Sequence, residues 1–165
     1  MLIRKIIAND NAAMANIIRN SLLEFGAAKP GTVYFDRSTD QLSEVFEQNR
    51  SAYFVIEVNN EIVAGAGIFP TNGLPTNTCE LVKIYVAQKH RRNGYGQTLL
   101  QKCIDEAKQK GYETMYLESM PELKTAISMY EKNGFKKISG SLGNSGHTGC
   151  DVFMIKELVN EVISD

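Results

Sequence analysis

The chain has 165 residues, about one domain at the usual ~100–200 residues each, and enough to bury a core without a disulfide or metal staple. Hydrophobic residues make up 43% and charged residues 22%, a globular rather than a disordered composition. The formal net charge of −1 argues against a generally basic nucleic-acid binder and leaves only local basic patches to consider. Three cysteines (Cys79, Cys103, Cys150) are an odd count with no CxxC pair, so neither a disulfide framework nor a cysteine-based zinc site is indicated.

No segment approaches the ~18 consecutive apolar residues of a membrane span. Met1–Ile7 carries Arg4 and Lys5 inside a short apolar stretch, and no small-residue cleavage site follows. It reads as a first strand, not a signal peptide, and a reduced, cytoplasmic protein is expected. Asn9 or Asp10 then caps a helix in which Met14, Ile17, Ile18, Leu22 and Phe25 share a face, with Gly26 as the stop. A second amphipathic helix is expected around Asp40–Gln48.

The period then changes to strands. Ala52–Val58 and Glu61–Phe69 flank Asn59-Asn60, a pair suited to the positive backbone angles of a tight hairpin. Thr71–Asn77 reads as a loop and Cys79–Val86 as a third strand of this group. A helix follows from about Gly94 to Lys110, its stripe formed by Leu99, Leu100, Cys103, Ile104 and Ala107. Thr114–Ser119 is a strand and Glu122–Asn133 a helix. Phe135–Ser139 and Cys150–Lys156 complete the sheet around the loop Gly140–Gly149. Hairpins ahead of an α/β alternation require a mixed sheet, and no linker divides the chain, so residues 1–165 read as one domain.

Arg91-Arg92-Asn93-Gly94-Tyr95-Gly96 lies between a strand and a helix. A helix N-terminus offers unpaired N–H groups and the positive end of its dipole, which attract phosphate. Gly94 and Gly96 remove Cβ atoms that would keep a pyrophosphate from the backbone, Arg91 and Arg92 add charge, and His90 offers a further donor. The third glycine of a dinucleotide fingerprint is missing, with Leu99 in its place, and no Walker Gly-Lys-Ser/Thr follows.

Arg91-x-x-Gly94-x-Gly96 followed by Leu99-Leu100 resembles the acetyl-CoA pyrophosphate motif (Q/R-x-x-G-x-G/A) of the GNAT superfamily of N-acetyltransferases. Glu80-Leu81-x-x-x-Tyr85-Val86 is similar to that family's central strand, and Ala126-Ile127-x-x-Tyr130-Glu131-Lys132-x-Gly134-Phe135 to its later helix–strand motif. The resemblance implies a mixed, twisted α/β sheet whose strands at Glu80–Val86 and Thr114–Ser119 splay apart, flanked by helices. It also implies acetyl-CoA as cosubstrate, without a metal. Its pantetheine arm would pair with the strand near Ile84 and Val86, and its pyrophosphate would sit on Arg91, Arg92, Asn93, Gly94, Tyr95 and Gly96. Leu123 stands where many members have an Asn that contacts pantetheine.

Transfer to an amine needs a neutral nitrogen, and a lysine-like amine of pKa ~10.4 is neutral in only about one molecule in a few thousand at pH 7. A base must take the proton, and an acid aids departure of the thiolate. The resemblance places Tyr130 at the position of the family's acid, although it also shares an apolar face with Leu123, Ala126 and Ile127. Glu80 is the candidate base. Unbroken alternation would put it on one face with Val82, Ile84 and Val86; an exposed glutamate paired with Lys83 is the alternative. His147 reads as a polar loop residue and Cys150 as a buried strand cysteine.

The expected activity is direct acetyl transfer from acetyl-CoA to a primary amine, most simply of a small, amino-acid-like acceptor. Alternatives are a protein or peptide acceptor, or a non-catalytic acyl-CoA-binding module. No nucleic-acid or membrane partner is expected, and a homodimer is left open.

Overall fold

Asn59 and Asn60 have positive φ (50° and 63°), and the hairpin they close is the nucleus of the sheet in the computed structural model, which describes residues 1–158. In chain order the elements are β1 (Leu2–Lys5), α1 (Asn11–Glu24), the one-turn α2 (Leu42–Val45), β2 (Ala52–Val58), β3 (Glu61–Phe69) and β4 (Thr78–Val86). They continue with α3 (Tyr95–Gln109), β5 (Thr114–Ser119), α4 (Lys124–Lys132), β6 (Lys136–Ile138) and β7 (Val152–Glu157). The strands form one mixed sheet in the order β1-β2-β3-β4-β5-β7-β6. Among the described residues only the β4–β5 pair is parallel. No helix among the described residues is long and apolar enough to cross a membrane.

Strand β2 is covered on both faces. Phe54 and Ile56 point to one face, under Leu99, Leu100, Cys103, Ile104 and Ala107 of α3. Tyr53 and Val55 point to the other, under Met14, Ile18 and Leu22 of α1. All these side chains are buried, and each large one stabilises the fold by ~1.5–3 kcal/mol relative to exposure. The helical stripes predicted for α1 and α3 are therefore the two covers of a sheet buried on both sides, except that Phe25, expected on the α1 stripe, is the C-cap of that helix and is exposed.

The segment expected to form an amphipathic helix over 40–48 does not. Arg37–Gln41 is a 3-10 helix, α2 is a single turn, and Leu42 alone of that segment's apolar residues is fully buried. Asp10 sits at the N-terminus of α1 but its carboxylate does not cap the helix. It accepts from the Ile7 N–H (2.9 Å) and from the Arg4 guanidinium (2.7 and 3.0 Å), joining β1 to the turn that follows.

Candidate active site

Strands β4 and β5 pair only at Thr78–Thr114, Cys79–Met115 and Glu80–Tyr116, then separate. The splay expected from the resemblance is thus present, and it begins at Glu80. A β-bulge accompanies it. Gly67 lies opposite Val82 and Gly65 opposite Tyr85, so Lys83 and Ile84 of β4 together face one residue of β3. Lys83 takes up the extra residue with a left-handed φ of 51°. The Tyr53 hydroxyl donates to the Lys83 carbonyl at 2.7 Å and pins the bulge. Gly65 makes room for that bond: a Cβ there would stand 2.6 Å from Met14 Sδ and 2.8 Å from the Tyr53 oxygen.

The bulge corrects the expected side-chain alternation. Cys79, Leu81, Ile84 and Val86 all pack on the α3 side, whereas Tyr85 packs on the α1 side. Glu80 therefore does not share a face with Ile84 and Val86. It points to the opposite side, at the fork of the splay, and is buried at 3% exposure. Nor is it paired with Lys83: its Oε2 accepts from Thr71 Oγ1 at 2.8 Å. Burial pushes its carboxyl up to about 7, against the smaller opposing effect of the Thr71 hydrogen bond.

Around Glu80 the fold gathers polar groups from five segments. Ligand atoms of Glu80, Glu118 and His147 all lie within 4.8 Å of one another. Glu118 accepts from Tyr116 Oη (2.7 Å) and from Ser145 Oγ, and His147 donates from Nε2 to Asp36 at 3.3 Å. The His147 contact, then those to Ser38, hold the Asp36 carboxyl far below the usual carboxylate range despite its burial. Each member of the Glu80–Glu118–His147 trio thus has a protein partner, which suits proton handling better than a metal centre. His147 is a loop residue, as expected, but it is joined by Glu118 and Asp36, which the sequence did not single out, and by Lys83, which pairs with Asp36 rather than Glu80. Alternation on β5 was the available clue to Glu118, since Met115 and Leu117 face α3 and so leave Tyr116 and Glu118 on the Glu80 side.

The loops carrying these groups meet through glycines. Asn144 N–H donates to the Asn72 carbonyl at 2.7 Å, and a Cβ on Gly73 would lie 2.9 Å from Gly143 Cα. Gly149 N–H donates to Gly31 at 2.9 Å, and a Cβ on Gly31 would lie 2.5 Å from Thr148 Oγ1. Residues 31, 72–73 and 143–149 are consequently stitched together over this end of the sheet.

Tyr130 lies on the α3 side, 5% exposed, edge-on to Phe135 with centroids 5.8 Å apart. Among the described residues its hydroxyl has no hydrogen-bond partner, and burial keeps it protonated far beyond neutral pH. Cys150 is not a strand residue: it lies in the loop before β7, partly buried against the α1 side. Burial, followed by the charges of Glu118 and Glu80, pushes its thiol up to about 12, so it is a poor nucleophile.

The glycine loop opens α3 as the sequence predicts. Gly94 is the N-cap at φ 77°, with no capping side chain and no atom within 4 Å of where its Cβ would be. The first helical acceptor bond is Thr98 N–H to Gly94, which leaves the Gly94, Tyr95, Gly96 and Gln97 N–H groups without partners among the described residues. Arg91 is committed elsewhere: it donates to the Val86 carbonyl (3.1 Å) and to Glu24 (2.8 Å), and lies over the Phe25 ring. An open groove of about 490 Å³ runs beside this loop between α3 and α4, lined by Gln97, Lys124, Thr125, Ser128, Met129 and Lys132. Of these six only Lys132 was named from the sequence, as part of the helix–strand motif. Leu123, at the N-cap of α4, packs on the α1 side.

Comparison with known proteins agrees with this arrangement. The sequence profile of the Acetyltransferase (GNAT) family matches residues 15–135. The chain is 37% identical over 158 residues, 95% of each protein, to the Escherichia coli (strain K12) protein named Uncharacterized N-acetyltransferase YjgM. The yncA structure from Salmonella typhimurium, solved with its cofactor acetyl-CoA, superimposes with a TM-score of 0.77 at 23% identity, covering 100% of this chain and 98% of that one. The paia N-acetyltransferase of Thermoplasma acidophilum, in complex with coenzyme A, gives 0.73 at 20% identity, covering 94% and 98%. With its splayed central strands and unpaired helix N-terminus, the chain belongs to the GNAT acetyltransferase family.

Proposed function

We propose that the protein transfers the acetyl group of acetyl-CoA directly to the primary amine of a small, amino-acid-like molecule, with Glu80 as base and Tyr130 as acid. The observation that carries this reading is Glu80 itself. It is a buried carboxylate at the fork of β4 and β5 whose affinity for a proton is raised to about 7. A base of that strength is half ionised at neutral pH and takes a proton from an ammonium, directly or through one water, more readily than an ordinary carboxylate.

Acetyl-CoA, when bound, supplies an activated thioester. The chain's part is to hold it and to manage two protons. The N–H groups of Gly94, Tyr95, Gly96 and Gln97 offer a cradle for its pyrophosphate, with Arg92 and Asn93 on the same loop and Lys124 and Lys132 along the groove. Past Glu80, the backbone of β4 at Ile84 and Val86 has no β5 partner and suits an extended arm. Tyr130, held protonated by burial, is the proton donor in this reading: it hydrogen-bonds the thiolate as the C–S bond breaks, and water restores any proton it passes on.

A small acceptor is favoured by the stitched loops, which leave little freedom for a protein chain to enter beside Glu80. A cytoplasmic setting fits the three free thiols of Cys79, Cys103 and Cys150. The test is an acceptor screen with acetyl-CoA that monitors free thiol and confirms the acetylated amine by mass spectrometry. Thiol release with no acetylated product from any small amine would overturn the reading.

A further inference from the structure

Lys83 has no function in the scheme above, yet its position is unusual. Its side chain is only 7% exposed, although its residue carries a strained left-handed φ that a bulge imposes. Its ammonium makes no hydrogen bond within the described residues. The nearest carboxylate oxygen, Asp36 Oδ2, stands 3.8 Å away. Asp36 is already supplied by His147 at 3.3 Å and by Ser38 N–H and Oγ at 3.0 and 2.7 Å. Glu80, on the same strand, takes its hydrogen bond from Thr71, and Glu118 takes two from Tyr116 and Ser145. Each of these carboxylates already accepts a hydrogen bond from another donor, while the Lys83 ammonium, paired only at 3.8 Å with Asp36 among the described residues, has N–H groups left to offer. An ammonium largely withdrawn from water with only one long ion pair is costly, and an incoming anion relieves part of that cost.

We propose that Lys83 binds a carboxylate of the acceptor, so that the acceptor is an amine carrying a carboxylate in the same small molecule, as an amino acid does. The proposal rests on the reading of Glu80 as base and narrows the acceptor class that reading leaves open. The two ends of such a molecule find opposite partners a few residues apart on β4, with the amine at Glu80 and the carboxylate at Lys83. A single negative charge matches a single ammonium. A dianionic phosphate is disfavoured, because Asp36 lies 3.8 Å from the ammonium and Glu118 stands beside Glu80, and both repel excess negative charge.

The experiment compares matched pairs of acceptors with saturating acetyl-CoA: each amino acid against its carboxamide and its decarboxylated amine. Product is measured by mass spectrometry. The expected result is a kcat/KM at least tenfold higher for the carboxylate-bearing member, expressed mainly in KM. In Lys83→Met, which keeps the length and apolar stem, the ratio between members should collapse toward one. Because the comparison on unaltered protein needs no variant, a poorly folded Lys83→Met does not spoil it. Amides or simple amines acetylated as well as the acids would overturn the role of Lys83 while leaving the transferase intact. An absence of acetylated product from every member would overturn the base assignment and this proposal with it.

Discussion

Replacing Glu80 by glutamine removes a charge without removing the shape or the acceptor oxygen that Thr71 uses. The magnitude follows from burial. The carboxyl is raised from its ordinary value of 4.5 to about 7, and at about 1.4 kcal/mol per pKa unit the difference corresponds to about 3 kcal/mol. The sign is fixed by which state holds the proton. Between these values the native protein binds a proton that the unfolded chain has released, so wild-type stability falls as the pH rises, and above 7 the penalty is complete. Glu80→Gln never ionises and escapes it. The variant should match wild type in denaturant unfolding near pH 4.5 and exceed it by about 3 kcal/mol near pH 8. Its turnover should move the other way, falling ~10²–10⁴-fold and losing the acid limb of the pH–rate profile near 7. A stability difference that is the same at both pH values, together with an unchanged profile, would refute the account of Glu80 as a buried base.

Tyr130→Phe keeps the ring packed on Phe135 and gives up no hydrogen bond within the described residues. Unfolding free energy should change by under about 0.5 kcal/mol while turnover falls ~10²-fold, and equal turnover in single-mixing kinetics would remove it as the acid. Gly94→Val puts a branched side chain at a φ of 77° and into the open space before α3. Calorimetry should show acetyl-CoA affinity reduced at least about tenfold, with a stability loss of ~1–2 kcal/mol from backbone strain. Tyr53→Phe deletes the donor to the Lys83 carbonyl and should cost about 1–2 kcal/mol in denaturant unfolding; no loss would mean the bulge is held by other contacts.

Most of the sheet was legible because its signals are local. Ala52–Val58, Glu61–Phe69 and Thr114–Ser119 are predicted with the boundaries observed, since β-branched runs and an Asn-Asn turn act over a few residues. The bulge was not legible. A lysine in left-handed geometry has no sequence signature, and what stabilises it is a tyrosine 30 residues away reaching past a glycine on the intervening strand. That one displacement sent Glu80 to the face opposite Ile84 and Val86. The polar partners of Glu80 were hidden for a related reason: Asp36 and His147 meet across 111 residues, and only the folded sheet brings their loops together. Residues 40–48 carry a helical pattern too short to outweigh their connections to α1, such as Arg19 with Asp40 at 2.6 Å.

Among the described residues, three residue pairs of the strand ladder alone join strands β1 to β4 with strands β5 to β7. Past them, the inner margin of β4 is a sheet edge enclosed by the molecule rather than capped by it. Such a seam is where a fold of this kind opens first. Amide exchange should be fastest along Leu81–Val86 and slowest in β2, which has neighbours on both sides. An extended ligand lying in the gap would act as a missing strand, joining the two halves and slowing exchange on both.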